Sequence, residues 1–196
     1  MLAIIAVPTM SLPFLSLLRG ADHWLFHEVN QVWTLPILDR TMPVITDFLR
    51  PALVRYGLLP AALAYWFYVR GRQAAKAMLA LALVLSLTDA VCHRLVKPYF
   101  HRSRPEKAGV QTVLRTNPHY GFSFPSNHAA NCFAGASFLS MIEPPIAPWA
   151  FAIAGIVAYS RVYVGVHFPL DVAGGAFLGL AIGGLAGWAF RRLSRL

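Results

Sequence analysis

Long apolar runs separated by short charged segments constrain the fold of this chain more than any other feature of its sequence. Five such runs occupy residues 51–69, 77–95, 129–142, 146–164 and 170–190. A helix that spans a bilayer needs ~17–25 predominantly apolar residues. The chain is 57% hydrophobic and only 13% charged, whereas soluble domains are about 45–50% apolar. The sequence therefore predicts an all-α fold, a polytopic transmembrane helical bundle with five crossings.

The first fifty residues are expected to behave differently from this helical core. Residues 1–18 carry no charged side chain and predict a sixth crossing, with an interfacial anchor as the alternative because Pro8 and Pro13 interrupt the run. Residues 22–50 mix aromatic and charged side chains, which predicts amphipathic helices at the membrane surface. We expect residues 1–196 to form a single membrane-embedded domain, with the helical core at 51–196 and site loops at 97–128 and 160–171.

The net charge of +9 raises the question of an anionic partner. The lysines and arginines cluster between the apolar runs, and the sequence contains no nucleic-acid reader motif, so nucleic acid is not expected. The lipid bilayer and a membrane lipid phosphate are the favoured partners. Cys92 and Cys132 lie within apolar runs and form no metal or redox motif. Their expected role is that of small buried hydrophobic residues.

The short segments at the other ends of the crossings indicate an orientation. Two of them, the segment after the first crossing and the C-terminal tail, contain cations and no acid: Arg70, Arg72, Lys76, Arg191, Arg192 and Arg195. Such segments are typical of the cytoplasmic side. We therefore expect a multi-pass protein of the cell inner (cytoplasmic) membrane, with its site facing the periplasm or exterior. The sequence leaves the oligomeric state open.

Three polar clusters interrupt the apolar pattern on the side opposite those cations. They are Lys97 with Arg104 and Pro105, then Pro125-Ser126-Asn127-His128, and then Ser160 and Arg161 with His167 and Asp171. Ionisable groups at membrane depth are costly, so a functional role is the first hypothesis. With the crossings as predicted, all three clusters emerge on the same side. The sequence therefore predicts one site built from all three.

The residue types in these clusters suit a phosphate group. Lys97, Arg104 and Arg161 supply cationic donors, and arginine binds phosphate oxygens in bidentate geometry. Ser126 is a natural N-cap for the helix that follows. The backbone amides of Asn127 and His128 would then offer donors to an anion at the helix N-terminus. We predict that these residues bind the phosphate of the substrate.

Two histidines then divide the chemistry between them. His167 is the better nucleophile, because Asp171 one helical turn later would orient its ring and raise its basicity. His128, at the mouth of a helix, is left as the acid that protonates the leaving alkoxide. The cations stabilise the transferred phosphoryl group in place of a metal, so we expect no metal and no cofactor.

These residues resemble the signature of the type 2 phosphatidic acid phosphatase superfamily, which reads KxxxxxxRP, PSGH and SRxxxxxHxxxD. Here the pieces are K-P-Y-F-H-R-S-R-P from Lys97, P-S-N-H from Pro125 and S-R-V-Y-V-G-V-H-F-P-L-D from Ser160. The second piece departs from the pattern, since Asn127 stands where the family has glycine.

The resemblance implies a six-helix core and hydrolysis of a lipid phosphate at the periplasmic face without a metal. It implies a phosphohistidine at His167 and protonation by His128. It also implies phosphate contacts from Lys97, Arg104, Ser126 and Arg161. Phosphatidate, phosphatidylglycerol phosphate, undecaprenyl pyrophosphate and lipid A phosphate all fit as substrates.

Other interpretations of the same residues remain open at this point. The chain could be a lipid-phosphate transporter or a binding scaffold without turnover, or an enzyme like the vanadium haloperoxidases. His93, His101 and His119 could join His128 and His167 in a zinc centre, although no usual ligand spacing occurs. Asp89 and His93 are expected to be a satisfied polar pair, with support of Lys97 as the alternative. Arg102 and Lys107 are expected to be solvated loop charges.

Overall fold

A computed structural model describes residues 12–47 and 53–193 of the chain. Helices account for the regular structure in those ranges, and no strand occurs in them, as the sequence predicts. The α-helices are α1 Leu12–His27, α2 Pro36–Thr46, α3 Leu59–Arg70, α4 Arg72–Ala90, α5 Lys97–Phe100, α6 Asn127–Ile142, α7 Ala147–Tyr163 and α8 Pro169–Leu193. π-Helical turns extend α1 to Val32, lead into α3 from Leu53, and join α4 to α5.

Helix boundaries follow local sequence signals. Pro36 and Pro169 stand at the first positions of α2 and α8, where the missing proline N–H costs no hydrogen bond and the fixed φ suits a helix. Gly71 separates α3 from α4 with a φ of 53°, a conformation that residues with a Cβ seldom adopt. These breaks allow α3 and α4 to pack as neighbouring helices.

Helix α6 lies at the centre of the bundle and packs against α8, α7 and α4. Its closest approach is to α8, where a Cβ added at Gly179 or Gly183 would lie 2.1 Å from the carbonyl oxygens of Ala130 and Ala134, respectively. Glycines four residues apart let two helix backbones come together in this way. The glycines of α8 therefore form the face that packs against α6.

Three helical stretches of the described chain are long and apolar enough to cross a membrane: Arg72–Lys107, Pro144–Tyr163 and Pro169–Leu193. They contain the predicted crossings at 77–95 and 170–190, and the crossing at 146–164 except its last residue. The crossing predicted at 129–142 corresponds to α6, which has only 16 residues. The fold is that of an all-helical multi-pass membrane protein, while the count of five crossings stays a prediction.

The N-terminal helices pack against the end of α7 and the turn that follows it. Phe26 from α1 and Met42 from α2 are buried in one cluster with Tyr163 and Phe168. The predicted crossing at the N-terminus begins in residues 1–11, outside the described residues. Of the predicted crossing at 51–69, residues 53–69 are helical but are not among the three stretches above, and residues 51 and 52 lie outside the described ranges. The predicted placement of 22–50 at the membrane surface stays a prediction.

The long loop between α5 and α6 is fixed to this N-terminal layer. The Asn30 side chain donates to the carbonyl oxygens of Val113 and Tyr163 at 2.9 and 2.8 Å, and its own oxygen accepts from the Val113 N–H at 2.8 Å. Gly165 stands where a Cβ would lie 2.7 Å from the Val113 carbonyl, with a φ of 86°. Glycine at 165 therefore lets the loop lie directly over the turn between α7 and α8.

Candidate active site

The three predicted polar clusters meet around one cavity of about 560 Å³. Six of the eight predicted site residues line it: Lys97, Arg104, Asn127, His128, Arg161 and His167. The other two, Ser126 and Asp171, are fully buried, and the Ser126 N–H donates to the Asp171 carbonyl at 2.9 Å. The structure thus brings the predicted residues together, and the roles assigned to them stay predictions.

His167 lies in the turn between α7 and α8 and is only 2% exposed. Its Nε2 lies 3.2 Å from Nη1 of Arg104, while its Nδ1 lies 3.5 Å from Oδ2 of Asp171. Burial lowers the pKa of His167 well below its usual range, and the positive charges of Arg104, Arg161 and Lys97 lower it further. The imidazole is therefore neutral at physiological pH, as a nucleophile must be.

Asp171 stands close to His167 but is not hydrogen bonded to it, because 3.5 Å exceeds a normal hydrogen bond. Its oxygens accept instead from Nη1 of Arg102 at 2.8 Å, from the N–H of Phe168 at 2.8 Å and from the Ser123 hydroxyl. The expected carboxylate–imidazole hydrogen bond is thus absent in this state. Catalytic hydrogen bonds are often long before substrate binds, so the geometry keeps Asp171 as a candidate orienting group.

Arg102 bridges two buried carboxylates, and its expected role as a solvated loop charge is wrong. It contacts Asp171 on one side and Asp22 of α1 on the other, and its guanidinium lies 4.3 Å from the centre of the Phe168 ring. The other oxygen of Asp22 accepts from the Leu170 N–H at 2.8 Å. Two carboxylates in one buried place require a cation between them, and Arg102 supplies it.

Two of the predicted phosphate-binding cations hold backbone carbonyls. Lys97 Nζ donates to the carbonyls of Phe122 and Pro125 at 2.7 and 3.0 Å. Nη1 of Arg104 donates to Val166 at 2.9 Å, and its Nε donates to Gly121 at 3.2 Å. Because these carbonyls belong to the loop before α6 and to the turn before His167, the cations tie both segments to the cavity wall.

Arg161 is fully buried and reaches the cavity from the last turn of α7. Nη1 donates to the Thr46 hydroxyl at 2.6 Å, and Nη2 lies 3.1 Å from Nε2 of His119. His119 Nδ1 lies 2.9 Å from the carbonyl of Asn117 and can donate to it, which leaves Nε2 to accept from Arg161. Burial and then the charges of Arg161 and Arg104 lower the pKa of His119, so it stays a neutral acceptor.

The start of α6 presents polar atoms to the site. Ser126 occupies the N-cap position, but its hydroxyl makes no capping hydrogen bond, and within the described ranges its buried Oγ contacts no partner. The Asn127 side-chain amide lies 2.7 Å from both Oδ1 of Asp89 and Nδ1 of His93. Asp89 and His93 are therefore not only a pair with each other, and the alternative that they support Lys97 stays a prediction.

Comparison with known proteins agrees with the signature. The family model of the PAP2 superfamily matches residues 60–195, which is more than half of the chain. The chain belongs to the PAP2 superfamily. The expected family resemblance is therefore confirmed.

Individual known proteins are similar to this chain over half or more of their own length. A lipid A 4'-phosphatase of Bacteroides thetaiotaomicron is 34% identical over 58% of this chain, and that match spans only 52% of the relative's length. Undecaprenyl-diphosphatase BcrC of Bacillus subtilis is 30% identical, with 75% of this chain and 72% of the relative covered. The crystal structure of Aquifex aeolicus LpxE superimposes with a TM-score of 0.64 at 30% identity, covering 83% of this chain and 92% of that one.

A zinc centre built from the extra histidines of this PAP2 chain does not fit the geometry. His119 contacts Arg161, His93 contacts Asn127, and His101 lies with its ring 4.6 Å from that of Phe122. Across residues 12–47 and 53–193, no group of three or more His, Cys, Asp or Glu side chains is arranged to hold a metal ion. His93 and His119 instead form parts of the polar walls of the cavity, whereas His101 packs against Phe122.

Several functional candidates escaped the sequence interpretation. Asp22 and Ser123 contact Arg102 and Asp171, respectively, and Asn131 lines the cavity one turn after Asn127. The available signals were weak: an acid within an apolar helix for Asp22, and an amide on an otherwise small and apolar helix face for Asn131. Ser123 lies in an irregular loop, where no periodicity indicates which side chains point inward.

Replacement of Arg102 by glutamine is expected to lower kcat about 10- to 100-fold, because Asp171 loses the donor that fixes it behind His167. KM should change much less, since Arg102 does not line the cavity. The matched control is Lys107→Gln, which removes an exposed cation of the same loop and should leave both constants near wild type. Steady-state kinetics on the purified proteins measures kcat and KM separately. An equal loss of kcat in the two variants would contradict the role of Arg102 in fixing Asp171.

Proposed function

We propose that this protein is a membrane lipid phosphatase, a phosphoric ester or diphosphate hydrolase. It would remove phosphate from the head group of a membrane lipid through a phosphohistidine at His167. The observation that carries the proposal is the position of His167 on the wall of a cationic cavity. Its buried ring is neutral, and its Nε2 lies 3.2 Å from the Arg104 guanidinium. The names of two relatives, a lipid A 4'-phosphatase and an undecaprenyl-diphosphatase, support a lipid phosphate as substrate.

The phosphate would lie among the cations that line the cavity. Lys97, Arg104 and Arg161 supply positive charge, and the Ser126 hydroxyl with the backbone N–H groups at the start of α6 would add hydrogen-bond donors. Phosphate would replace the carbonyl contacts that Lys97 and Arg104 now make. Because three cations offset the charge of the transferred group, the proposed mechanism uses no metal ion.

The reaction would proceed in two steps. In the first, Nε2 of His167 attacks phosphorus, the bond from phosphorus to the leaving oxygen breaks, and protonated His128 gives its proton to that oxygen. In the second, neutral His128 takes a proton from water, the resulting hydroxide attacks the phosphohistidine, and the bond between phosphorus and nitrogen breaks. Inorganic phosphate leaves, and both histidines return to their initial protonation states. Asp171 would stabilise the ring of His167 as positive charge develops on it.

The proposed setting is the cell inner membrane, with the cavity open to the periplasm or exterior. The short basic segments at the opposite ends of the crossings support this orientation. We extend the proposal to a single domain over residues 1–196, in which α1 and α2 complete the site by holding Arg102 and Arg161. The contacts of Asp22 with Arg102 and of Thr46 with Arg161 support that role of the N-terminal helices.

Phosphate release from a panel of lipids in detergent tests the proposal. The panel contains phosphatidate, phosphatidylglycerol phosphate, a prenyl diphosphate and a lipid A phosphate, each assayed with and without a metal chelator. We expect release of inorganic phosphate from at least one lipid, at the same rate with the chelator present. Lipid binding without release would indicate a transporter or scaffold, and halide oxidation only after addition of vanadate would indicate a haloperoxidase. Either result would overturn the proposal.

A further inference from the structure

A polar patch on the α4 side of the cavity is not used by the proposed chemistry. We define the acceptor patch as Asp89 of α4 with Asn127 and Asn131 of α6, all three of which line the same cavity as His167. Asp89 is half-exposed, and its Oδ2 lies 3.3 Å from Nδ1 of His93. The patch brings a carboxylate next to a cavity whose other charged groups include Lys97, Arg104 and Arg161.

Hydrogen-bond contacts fix the orientation of the patch. The Asn127 amide nitrogen donates to Oδ1 of Asp89 at 2.7 Å, a bond that the amide oxygen could not make with a carboxylate. The Asn127 oxygen is thereby turned away from Asp89. The same nitrogen lies 2.7 Å from Nδ1 of His93, so one side chain joins both neighbours on α4 to the start of α6.

The patch leaves acceptors without donors. In the described part of the chain, the buried side-chain oxygens of Asn127 and Asn131 have no hydrogen-bond partner. A buried acceptor without a donor costs free energy, and such groups usually mark a place for a ligand or water. A carboxylate and two amide oxygens accept hydrogen bonds. Their natural ligand is therefore a group that donates, such as a hydroxyl, and not a deprotonated phosphate.

The position of the patch relates it to the substrate's head group. One phosphate would be held by the three cations beside His167 and His128, and the group attached to that phosphate must extend along the remaining walls. A second phosphate extending along the α4 side would meet the negative charge of Asp89, and like charges repel strongly in a partly desolvated site. Hydroxyl groups on a carbon skeleton would instead supply the donors that the patch lacks.

We infer that the acceptor patch is a head-group subsite that selects a phosphomonoester carried on a hydroxylated skeleton, such as glycerol or a sugar, over a diphosphate. The inference rests on the proposed lipid phosphatase function and deepens it by naming the substrate class. Asp89 accepts from a hydroxyl of the head group, Asn127 holds Asp89 and His93 in place, and Asn131 extends the patch along α6. The asparagine in the P-S-N-H sequence thereby acquires a role that glycine could not have.

The Asp89→Asn variant tests the subsite through ratios of kcat/KM values for different lipids, measured on the same preparation. We compare kcat/KM for phosphatidylglycerol phosphate, whose head group carries a hydroxyl, with kcat/KM for phosphatidate and for a prenyl diphosphate. The wild-type protein should prefer the hydroxylated phosphomonoester to both. Asp89→Asn should reduce that preference about tenfold, the effect expected for losing a hydrogen bond to a charged group. Asn127→Gly should reduce it in the same direction.

The charge-matched control is Glu143→Gln. Glu143 lies at the opposite end of α6, about 24 Å along the helix axis, and pairs with exposed Arg70 at 2.7 Å. The Glu143→Gln variant should leave the ratio of the kcat/KM values unchanged. A ratio of rates does not depend on the fraction of folded protein, so partial misfolding of a variant cannot imitate the result. A lipid A 4'-phosphate assayed in parallel separates a sugar head group from glycerol.

The outcomes separate the two proposals. If the wild-type protein releases phosphate but prefers the diphosphate, or if Asp89→Asn leaves the preference unchanged, the subsite is wrong and the phosphatase function stands. If the wild-type protein releases no phosphate from any lipid, the proposed function fails, and the subsite fails with it. A reduced preference in Asp89→Asn that is absent in Glu143→Gln supports both proposals.

Discussion

Phosphate release by the His167→Ala variant is expected to fall at least about 10⁴-fold in kcat, because removal of a nucleophile leaves only the binding groups to assist the reaction. The imidazole is buried beside Arg104 and is uncharged at neutral pH, so one of its ring nitrogens is free to attack. Its Nε2 faces the Arg104 guanidinium, and Oδ2 of Asp171 lies 3.5 Å from its Nδ1 on the other side of the ring. The loss should therefore appear in kcat, while KM for the lipid changes little.

Trapping of the phosphoenzyme makes this prediction specific for covalent catalysis. Brief reaction with ³²P-labelled lipid followed by quenching in alkali, which preserves phosphohistidine, should label the wild-type protein but not His167→Ala. His128→Ala should slow the first step by about 10²–10⁴-fold, and this loss should shrink with a substrate whose leaving group needs no proton. Such a dependence on the leaving group would identify His128 as the acid.

The matched control for both variants is His27→Ala, which removes a half-exposed histidine of α1 that lies outside the cavity. It should retain wild-type turnover and labelling. Wild-type turnover in His167→Ala, or labelling of that variant on another residue, would contradict the assignment of the nucleophile. Peptide mapping of the labelled wild-type protein provides the independent check, since the phosphate should be found on the peptide that contains His167.

The site could be predicted from sequence largely because membrane insertion restricts where polar residues can lie. Each cluster sits at the boundary of an apolar run, and the alternation of crossings assigns all three to one side. Their meeting around a common cavity depends only on this parity and on short connections between α6, α7 and α8. The contact between Ser126 and Asp171, at the starts of α6 and α8, thus follows from features that the sequence displays directly.

Contacts between distant helices could not be predicted in the same way. Asp22 and Arg102 are 80 residues apart, and their pairing depends on how α1 is rotated and where it docks on the bundle. The sequence shows that both are charged, but it does not show which face of α1 turns inward. Asn127 lines the cavity at the start of α6, whereas the bond of its side chain to Asp89 depends on the packing of α4 against α6.

The length of α6 explains why the crossings could not be counted from hydropathy. A 16-residue helix is about 24 Å long, which is shorter than the ~30 Å hydrocarbon core of a bilayer. The N-terminus of α6 must lie at the cavity, because Ser126 and His128 belong to the site. The helix therefore cannot extend past the cavity toward that side of the membrane. Apolar composition alone does not indicate where α6 has to begin.

Gly183→Ala is expected to destabilise the protein by about 3 kcal/mol, at the upper end of the cost of overpacking. The new methyl carbon would lie 2.1 Å from the Ala134 carbonyl oxygen, although real Cβ atoms essentially never come within 3.0 Å of such an atom. The obstacle is backbone, which has no rotamer to change, so α6 and α8 must separate. Thermal unfolding in detergent should show a melting temperature lower by at least about 5 °C.

The control and a functional consequence make this prediction decisive. Gly155→Ala changes a helical glycine of α7 around which nothing lies within 4 Å, so it should leave the melting temperature unchanged or raise it slightly, since alanine favours the helix. Gly175 packs against the Ser126 carbonyl, where an added Cβ would lie 2.4 Å away. Gly175→Ala should therefore also lower kcat, because separating the helices at that end moves Asp171 away from Ser126 and the cavity. Equal melting temperatures for Gly183→Ala and Gly155→Ala would contradict the close α6–α8 contact on which the site is built.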